Sequence, residues 1–559
     1  MTLLSKLKEY ADERLEDQPP SLYASTPVAW IVEIDSEGWP LSSRPTSRID
    51  DRTSRGRRGI DMAAPEVQRS NNILPFVLAD TGEYTFGRPG KSRAVKRADQ
   101  QHREYKIRLQ ECAEHAHEPA VDAVVRFFEQ GGANLLDLDD DWDYQQKVTF
   151  RVHTDGEAVL PINLARVQSF WRSWWEEKHT ESRGHCHLCG LAKPLVRILP
   201  QKLKGIRDVH SSGTLFITAN KDAFESYGLK QSHVAPTCVD CAEALSRAMN
   251  DLLKRSDSHY YAGRDTFVFW TRKRIEFNLT SLMENPDPTQ LKEFLDAPRR
   301  GSQASTVNES SFYAARLSPR MKTPRVVVRD WIDTTVGDVK NSVRRWFGLQ
   351  RIVGPLGEEP IPYGLVDLAA STVGWKAGRA ASDDITAGTH GALLRAALLS
   401  EGVPDSLSHR AIRRCIAEQG FPLTPRPRQR YEERLRLLGA RAALMKLVLL
   451  KRESMGAKEN YMVALEPEHP EPAYHCGRLL AVFEEVQREA MPRVNTTVVD
   501  RFYGSASTAP VSAFARLWRG VQPHLTTLRK RENKAAFLLC SSASKRSTTE
   551  LRSSQSRCP

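Results

Sequence analysis

The chain has 559 residues, with 81 Lys and Arg against 69 Asp and Glu, 40% hydrophobic and 27% charged residues, and a formal net charge of +12. That length exceeds what one hydrophobic core organises, so several domains are expected, and the composition excludes fibrous, collagen-like and low-complexity classes. No apolar run approaches the ~20 residues of a membrane helix, and the opening MTLLSKLKEYADERLE lacks the apolar core of a secretory signal. A cytoplasmic protein is therefore expected, whose nine cysteines serve as thiols or metal ligands rather than disulfides.

The chain opens with a short amphipathic helix that ends before Pro19-Pro20, followed by a strand over VAWIVEID (28–35) closed by the turn residues SEG. RPTSRIDDRTSRGRRG (44–59) has no periodicity and reads as a basic loop. ILPFVLADTGEYTFG (73–87) predicts a hairpin, two apolar runs around Asp80-Thr81-Gly82. Residues 98–130 and 163–179 have helical spacing, and LFITAN (215–220) and TFVFWT (266–271) are apolar runs of β type. After about residue 385 helical periodicity takes over, as in Leu479, Phe483 and Val486 on one face. The reading is α+β: a mixed N-terminal region with β-hairpins and a cysteine-hook insert, then an all-helical C-terminal bundle. The expected divisions are an α+β domain over 1–150, a central α+β domain over 151–380, a bundle over 381–528, and a disordered serine-rich tail over 529–559.

Basic residues are clustered. Eight basic residues face two acidic ones over 86–108, nine face three over 312–353, and twelve face three over 410–452. With Trp331, Trp346 and Phe347 interleaved, this is the electrostatic footprint of a phosphate-backbone partner. Basic helix faces that are merely solvated are the plainer alternative for any one segment.

HCHLCG (185–190) and TCVDCAEAL (237–245) place Cys186, Cys189, Cys238 and Cys241 in two C-x2-C hooks. A C-x2-C turn presents two thiolates at the separation that tetrahedral zinc requires, and four cysteines leave no open coordination position. The expected ion is a structural Zn²⁺, with His185 and His187 as backup ligands. The alternatives are four cysteines that simply pack, or a redox motif. An enzymatic reading also exists: Asp208, His210, Asn220 and His233 follow the order found in zinc-supported HNH nucleases, where a histidine activates water. His210 lies in a loop-like VHSSG rather than a strand-turn-helix, and the order of these few residues is a weak motif. No Walker loop, G-x-S-x-G elbow or H-E-x-x-H occurs, and no dedicated active site is visible.

TANKDAFESYGLKQSHVAP (218–236), ALSRAMNDLL (244–253) and FVFWT (267–271) resemble the large subunit of the type I-C CRISPR Cascade complex. PVAWIVEIDSEG (27–38), NILPFVLADTGEYTFG (72–87), FYAARLSPRMKTPRVVVRDW (312–331), AYHCGRLLAVFEEVQ (473–487) and VNTTVVDRFYGSASTAP (494–510) extend the resemblance, in order, along nearly the whole chain.

The resemblance implies a non-catalytic subunit of a crRNA-guided complex. Such a subunit recognises the PAM, helps open target double-stranded DNA, stabilises the R-loop and recruits the CRISPR helicase-nuclease for antiviral defence. Its implied partners are crRNA, target DNA, the Cascade backbone subunits, the crRNA-processing subunit that binds the 5′ handle, and a small subunit made from its own C-terminal region. Internal initiation at Met445, Met455 or Met462 would release that piece, with Arg478, Arg488 and Arg501 beside the displaced strand. The implied PAM reader falls on Asn71, with Asn72 next to it and Arg69 holding a phosphate or guanine; two adjacent asparagines making a turn is the bland reading. Expected backbone contacts are Lys91, Arg93, Lys96 and Arg97 near the PAM-side duplex, and Arg316, Arg320, Lys322, Arg325 and Arg329 along DNA strands. Arg344, Arg345, Arg413 and Arg414 are further candidates. A free-standing nucleic-acid-binding scaffold outside any such complex remains the third class.

Overall fold

The computed structural model describes the chain apart from residues 1, 16–18, 48, 51–57, 70–72, 89–94, 139–141, 155, 210–212, 226, 273–278, 280–282, 284–285, 288–308, 321–324, 355–356, 358, 377–378, 381–383, 387, 419–427, 454–463, 492–495 and 531–559. It divides into two compact units: residues 1–259, 266–272 and 314–333 form the first, and residues 260–265, 273–313 and 334–559 the second. The architecture is α+β, with sheets towards the N-terminus and a helical C-terminal region.

The first unit is organised on β1 (Tyr23–Asp35). Its sequence YASTPVAWIVEID is rich in β-branched and aromatic residues and buries Val28, Ala29, Ile31, Val32 and Ile34, as a central strand covered on both faces should. Two very short strands, β2 (Thr46–Ser47) and β3 (Ile49–Asp50), precede β4 (Arg58–Pro65), so the expected basic loop is partly structured. β4 runs antiparallel to β1, β2 adds to β1 at Trp30 and Ile31, and β3 pairs with β4. On the other side β6 (Lys147–Thr154) runs parallel to β1, with a register shift between Val28 and Trp30, just after Pro27, which has no N–H to donate. β5 (Ala79–Thr81) and β7 (Glu157–Val159) both pair antiparallel with β6.

The predicted hairpin over 73–87 does not form. Only β5 is strand, and Gly82–Phe86 is a helical turn, α2. The cause is Asp80, whose carboxylate accepts the Phe76 N–H at 2.7 Å and the Thr81 N–H at 2.6 Å, and so turns the chain where a first strand should run. The helical pattern over 98–130 is two helices, α3 (Val95–Ala116) and α4 (Pro119–Glu129), because Pro119 opens a new helix at a position where its missing N–H costs nothing. The first helix, α1 (Leu3–Arg14), and α5 (Ala165–His179) fall where periodicity placed them.

Helices and sheet enclose one core in which Val32, Phe127, Phe150, Val167 and Trp171 are fully or almost fully buried. Gly38, in the turn after β1, shows how tightly α4 approaches. Its φ is +89°, and a Cβ there would stand 2.7 Å from the Ala123 carbonyl oxygen.

A hairpin of β8 (Thr180–His185) and β9 (Ala192–Val196) leads to α6 (Val239–Lys254). Strands follow at His259–Ala262 (β10), Asp265–Thr271 (β11), Ser311–Pro319 (β12) and Val326–Thr335 (β13); β11, β12 and β13 lie side by side in that order. The expected β-type run over 215–220 is not a strand. Leu215 makes a lone bridge to Arg325, and the residues beyond it close a loop.

In the second unit, helices Val336–Gln350, Leu365–Ala370, Thr389–Leu399, Asp405–Glu418 and Arg428–Glu453 pack together. Arg441 is a buried charge there: the guanidinium donates to both Glu418 carboxylate oxygens at 2.9 and 3.1 Å and to the Ser371 and Val373 carbonyls at 3.2 Å. The last three helices, Pro472–Ala490, Val498–Thr508 and Pro510–Lys530, gather a core of their own around Leu479, Phe483, Val486, Leu517 and Val521. Among the described residues no helix is long and apolar enough to cross a membrane.

Candidate metal centre and nucleic-acid interface

The hooks converge. The turn joining β8 to β9 carries Cys186 and Cys189, held by Cys186 N–H to Leu191 O at 3.0 Å and Gly190 N–H to Cys186 O at 2.8 Å. Gly190 takes φ +71°, the left-handed conformation that lets so short a turn close. Cys238 caps α6 and Cys241 lies in its first turn. Two backbone bonds dock this second hook onto the first: His187 N–H to Pro236 O at 2.9 Å and Val196 N–H to Thr237 O at 3.0 Å.

The ligand atoms of Cys186, Cys189, Cys238 and Cys241 all lie within 4.8 Å of one another, with Cys189 Sγ 4.0 Å from Cys238 Sγ. Four Zn–S bonds of about 2.3 Å require sulfurs about 3.8 Å apart, so the set fits a closed tetrahedral zinc site. Among the described residues it is the one cluster of this kind. His185 and His187 are exposed and outside it; the His185 ring meets the Gly190 carbonyl at 3.2 Å.

The surroundings favour the thiolate at Cys238, while burial pushes the Cys189 thiol up. Cys238 is pulled down to about 5, first by the Cys241 thiol donating to it and then, against the cost of burial, by the Cys241 backbone N–H. Cys241 is pushed up by the same shared proton and by burial. The α6 N-terminus adds its positive dipole end. Between the two cysteines of the second hook, Asp240 receives Lys193 of β9 at 3.0 Å and Arg172 of α5 at 2.8 Å. Burial alone would raise the Asp240 carboxyl, but those two cations hold it below its usual range. No spacing rule in the sequence marked Lys193 and Arg172, because their meeting is made by tertiary folding.

Of the expected base readers, Asn71 and Asn72 lie outside the described residues, and Arg69 borders them. Arg69 Nη2 bonds the fully buried Asp80 carboxylate, its Nε donates to Leu74 O at 2.8 Å, and the guanidinium lies 3.7 Å from the Phe76 ring centroid and 4.2 Å from that of Tyr84. It is a brace. Lys147, almost entirely buried nearby, bonds Glu66 at 2.5 Å.

Lys91 and Arg93 also lie outside the described residues. Lys96 and Arg97 are exposed in the first turn of α3, where cations add to the positive end of the helix dipole. On the β12–β13 pair, Arg316 points inward to Asp330 at 2.7 Å, while Arg329 is exposed. Arg320 and Arg325 meet at the ring of Phe224, and Lys322 between them lies outside the described residues. In the second unit Arg345 and Arg413 are exposed, Arg344 donates to Asn341 at 3.2 Å, and Arg414 is half-buried beside Gly374. Arg488 pairs with Glu484 at 3.0 Å, Arg478 meets His475 at 3.1 Å, and Arg501 is exposed.

For the nuclease-like set, His210 lies outside the described residues. The Asn220 side-chain oxygen accepts from Arg325, and His233 sits in the single turn Gln231–Val234.

Comparison with known proteins decides the family. The sequence model of the family described as CRISPR-associated protein (Cas_Csd1) matches residues 4–542, nearly the whole chain. The chain belongs to this family. The resemblance read from the landmarks along the sequence is borne out, and the protein is a CRISPR-associated subunit that works with crRNA and other proteins of that system. No curated protein matches it.

Proposed function

We propose that this Cas_Csd1 protein is the non-catalytic large subunit of a type I-C crRNA-guided complex. In this reading it recognises the PAM, helps unwind target double-stranded DNA, stabilises the R-loop and recruits the helicase-nuclease. The observation that carries it is the family match over residues 4–542, in a chain with a net charge of +12. Base pairing with the guide supplies sequence identity, so the protein has only to read a short duplex tag and hold backbone.

Each part has its residues. Asn71 and Asn72 read the base edge, since an amide matches the donor and acceptor of adenine in the major groove. Arg69, two residues before Asn71 in the sequence, is committed to Asp80, Phe76 and Tyr84 and so braces the fold instead of a phosphate. Lys91, Arg93, Lys96 and Arg97 on the PAM side, and Arg320, Lys322, Arg325 and Arg329 further along, neutralise phosphates. Arg316 supports that second group from within the sheet through Asp330. Zinc, held by Cys186, Cys189, Cys238 and Cys241, supplies folding energy to the hairpin and the start of α6, and a four-thiolate sphere leaves no position for water.

The test is binding of the assembled complex to target DNA with and without its PAM, and to a pre-opened target. Asn71→Ala is expected to weaken PAM-bearing duplex by ~1–3 kcal/mol while sparing the pre-opened target. Equal weakening of both would make Asn71 structural. Plasmid nicking by the purified chain with Mg²⁺ or Mn²⁺, abolished by His210→Ala, would replace this reading with the nuclease one.

A further inference from the structure

The chain closes a loop at Ala219 and Gln231, within which residue 226 lies outside the described residues. Ala219 and Gln231 exchange both backbone hydrogen bonds, at 3.1 and 2.9 Å, and Thr218 Oγ1 donates to the Gln231 side chain at 3.3 Å. Within the loop, the single helical turn Asp222–Phe224 is closed by Phe224 N–H to Lys221 O at 2.8 Å.

A loop so firmly closed would ordinarily tuck its large apolar side chains inward. This one presents them. Tyr227 is 98% exposed, Leu229 40% and Phe224 36%. Tyr227 is held with φ 54° and is followed by Gly228 at φ 72°, a left-handed pair that a tyrosine enters only under constraint. Bulky aromatic surface shown to water at strained backbone marks a contact site rather than a core.

The rim defines the contact's chemistry. The Arg325 guanidinium lies 4.4 Å and that of Arg320 5.6 Å from the Phe224 ring centroid. Arg325 also donates to the Asn220 side chain and bridges to Leu215, so its position is fixed from two sides. Lys221 and Lys230 are exposed on the same loop, with Lys230 3.6 Å from Glu225. Aromatic faces set among guanidinium and ammonium groups match unpaired nucleobases strung on phosphates. Rings stack on bases whatever their sequence, while cations follow the backbone. A folded protein partner would instead call for a continuous apolar surface.

We propose that the 219–231 loop is a stacking platform for single-stranded DNA, with Tyr227 as the projecting ring and Phe224 next to Arg320 and Arg325. The proposal rests on the DNA-surveillance reading above, in which duplex opening releases a strand with unpaired bases.

The test uses the full-length chain and fluorescence anisotropy with single-stranded DNA, an abasic strand of equal length, and single-stranded RNA. Tyr227→Ala is expected to weaken the base-bearing DNA about tenfold and leave the abasic strand unchanged, because stacking needs a base and phosphate contact does not. Tyr227→Trp should restore binding, and Phe224→Ala should weaken it further. Zinc content and melting temperature serve as the folding control. Equal weakening on both DNA strands, no weakening on either, or preferential binding of RNA overturns the platform. If the assembled wild-type complex fails to bind PAM duplex, the surveillance reading fails. If it binds and Tyr227→Ala changes nothing on the unpaired strand, only the platform does.

Discussion

At single-residue resolution the ionic brace between Arg69 and Asp80 carries the strongest stability claim. Asp80 is wholly buried, and burial pushes its carboxyl up against the pull of Arg69 and of the Phe76 N–H. Removing the guanidinium leaves a buried acid with two backbone donors and only Lys147, itself paired with Glu66, as countercharge, so Arg69→Met is expected to cost about 3–5 kcal/mol. Denaturant unfolding of that variant, of Asp80→Asn and of the pair gives the coupling; fully additive losses would show that the two do not act together. The cysteines make a second residue-scale claim. Cys241→Ser should lower bound zinc from about one equivalent and reduce the melting temperature, because ligand binding here is folding energy. Unchanged melting on metal removal would contradict it. The two features were not equally legible. C-x2-C spacing encodes its own geometry, so the four-cysteine cluster was visible in the sequence, whereas Asp80 looked like part of a turn between two strands and only the fold brings Arg69 to it.

For whole elements, local signals predicted type better than extent. β1 and α5 were legible because apolar periodicity and burial agree in them, while the helical stretch over 98–130 is divided at Pro119 and the hairpin at 73–87 was lost to the bonds of Asp80. Gly439 is a sharper case. In the middle of the Arg428–Glu453 helix, glycine costs about 1 kcal/mol against alanine, so propensity alone favours replacing it. Packing forbids that, since a Cβ at 439 would stand 2.0 Å from the hydroxyl of Tyr363, itself buried. Gly439→Ala is expected to destabilise the second unit by about 1–3 kcal/mol, and Gly439→Ala with Tyr363→Phe to recover part of the loss, because the hydroxyl is the obstructing atom. Stabilisation by the single change would show that the helix moves aside at little cost.

For the whole molecule, the basic excess was legible from composition, but the arginines that keep their charge outward were not, since Arg316 and Arg441 turn theirs into the protein. Neutralising the exposed Arg329 should therefore lower affinity for all DNA sequences and make the salt dependence shallower by ~1 in slope, while an internal arginine should act through stability instead. An unchanged slope for the Arg329 variant removes it from the backbone contacts.

The C-terminal helices lead to the last prediction. Pro472–Ala490, Val498–Thr508 and Pro510–Lys530 close a core among themselves around Phe483 and Leu517, so a chain begun at Met455 or Met462 would contain every helix that this core uses. One begun at Met445 would carry, in addition, only the end of the helix that packs with Asp405–Glu418. A core this small is marginal alone, and such a piece is expected to persist through association with the complex. Expression of the intact gene with a C-terminal tag should give a short product beside the full chain, and leucine at Met445, Met455 and Met462 together should remove it. A single full-length band from the unaltered gene would leave these methionines as ordinary residues and the small subunit to be supplied from elsewhere.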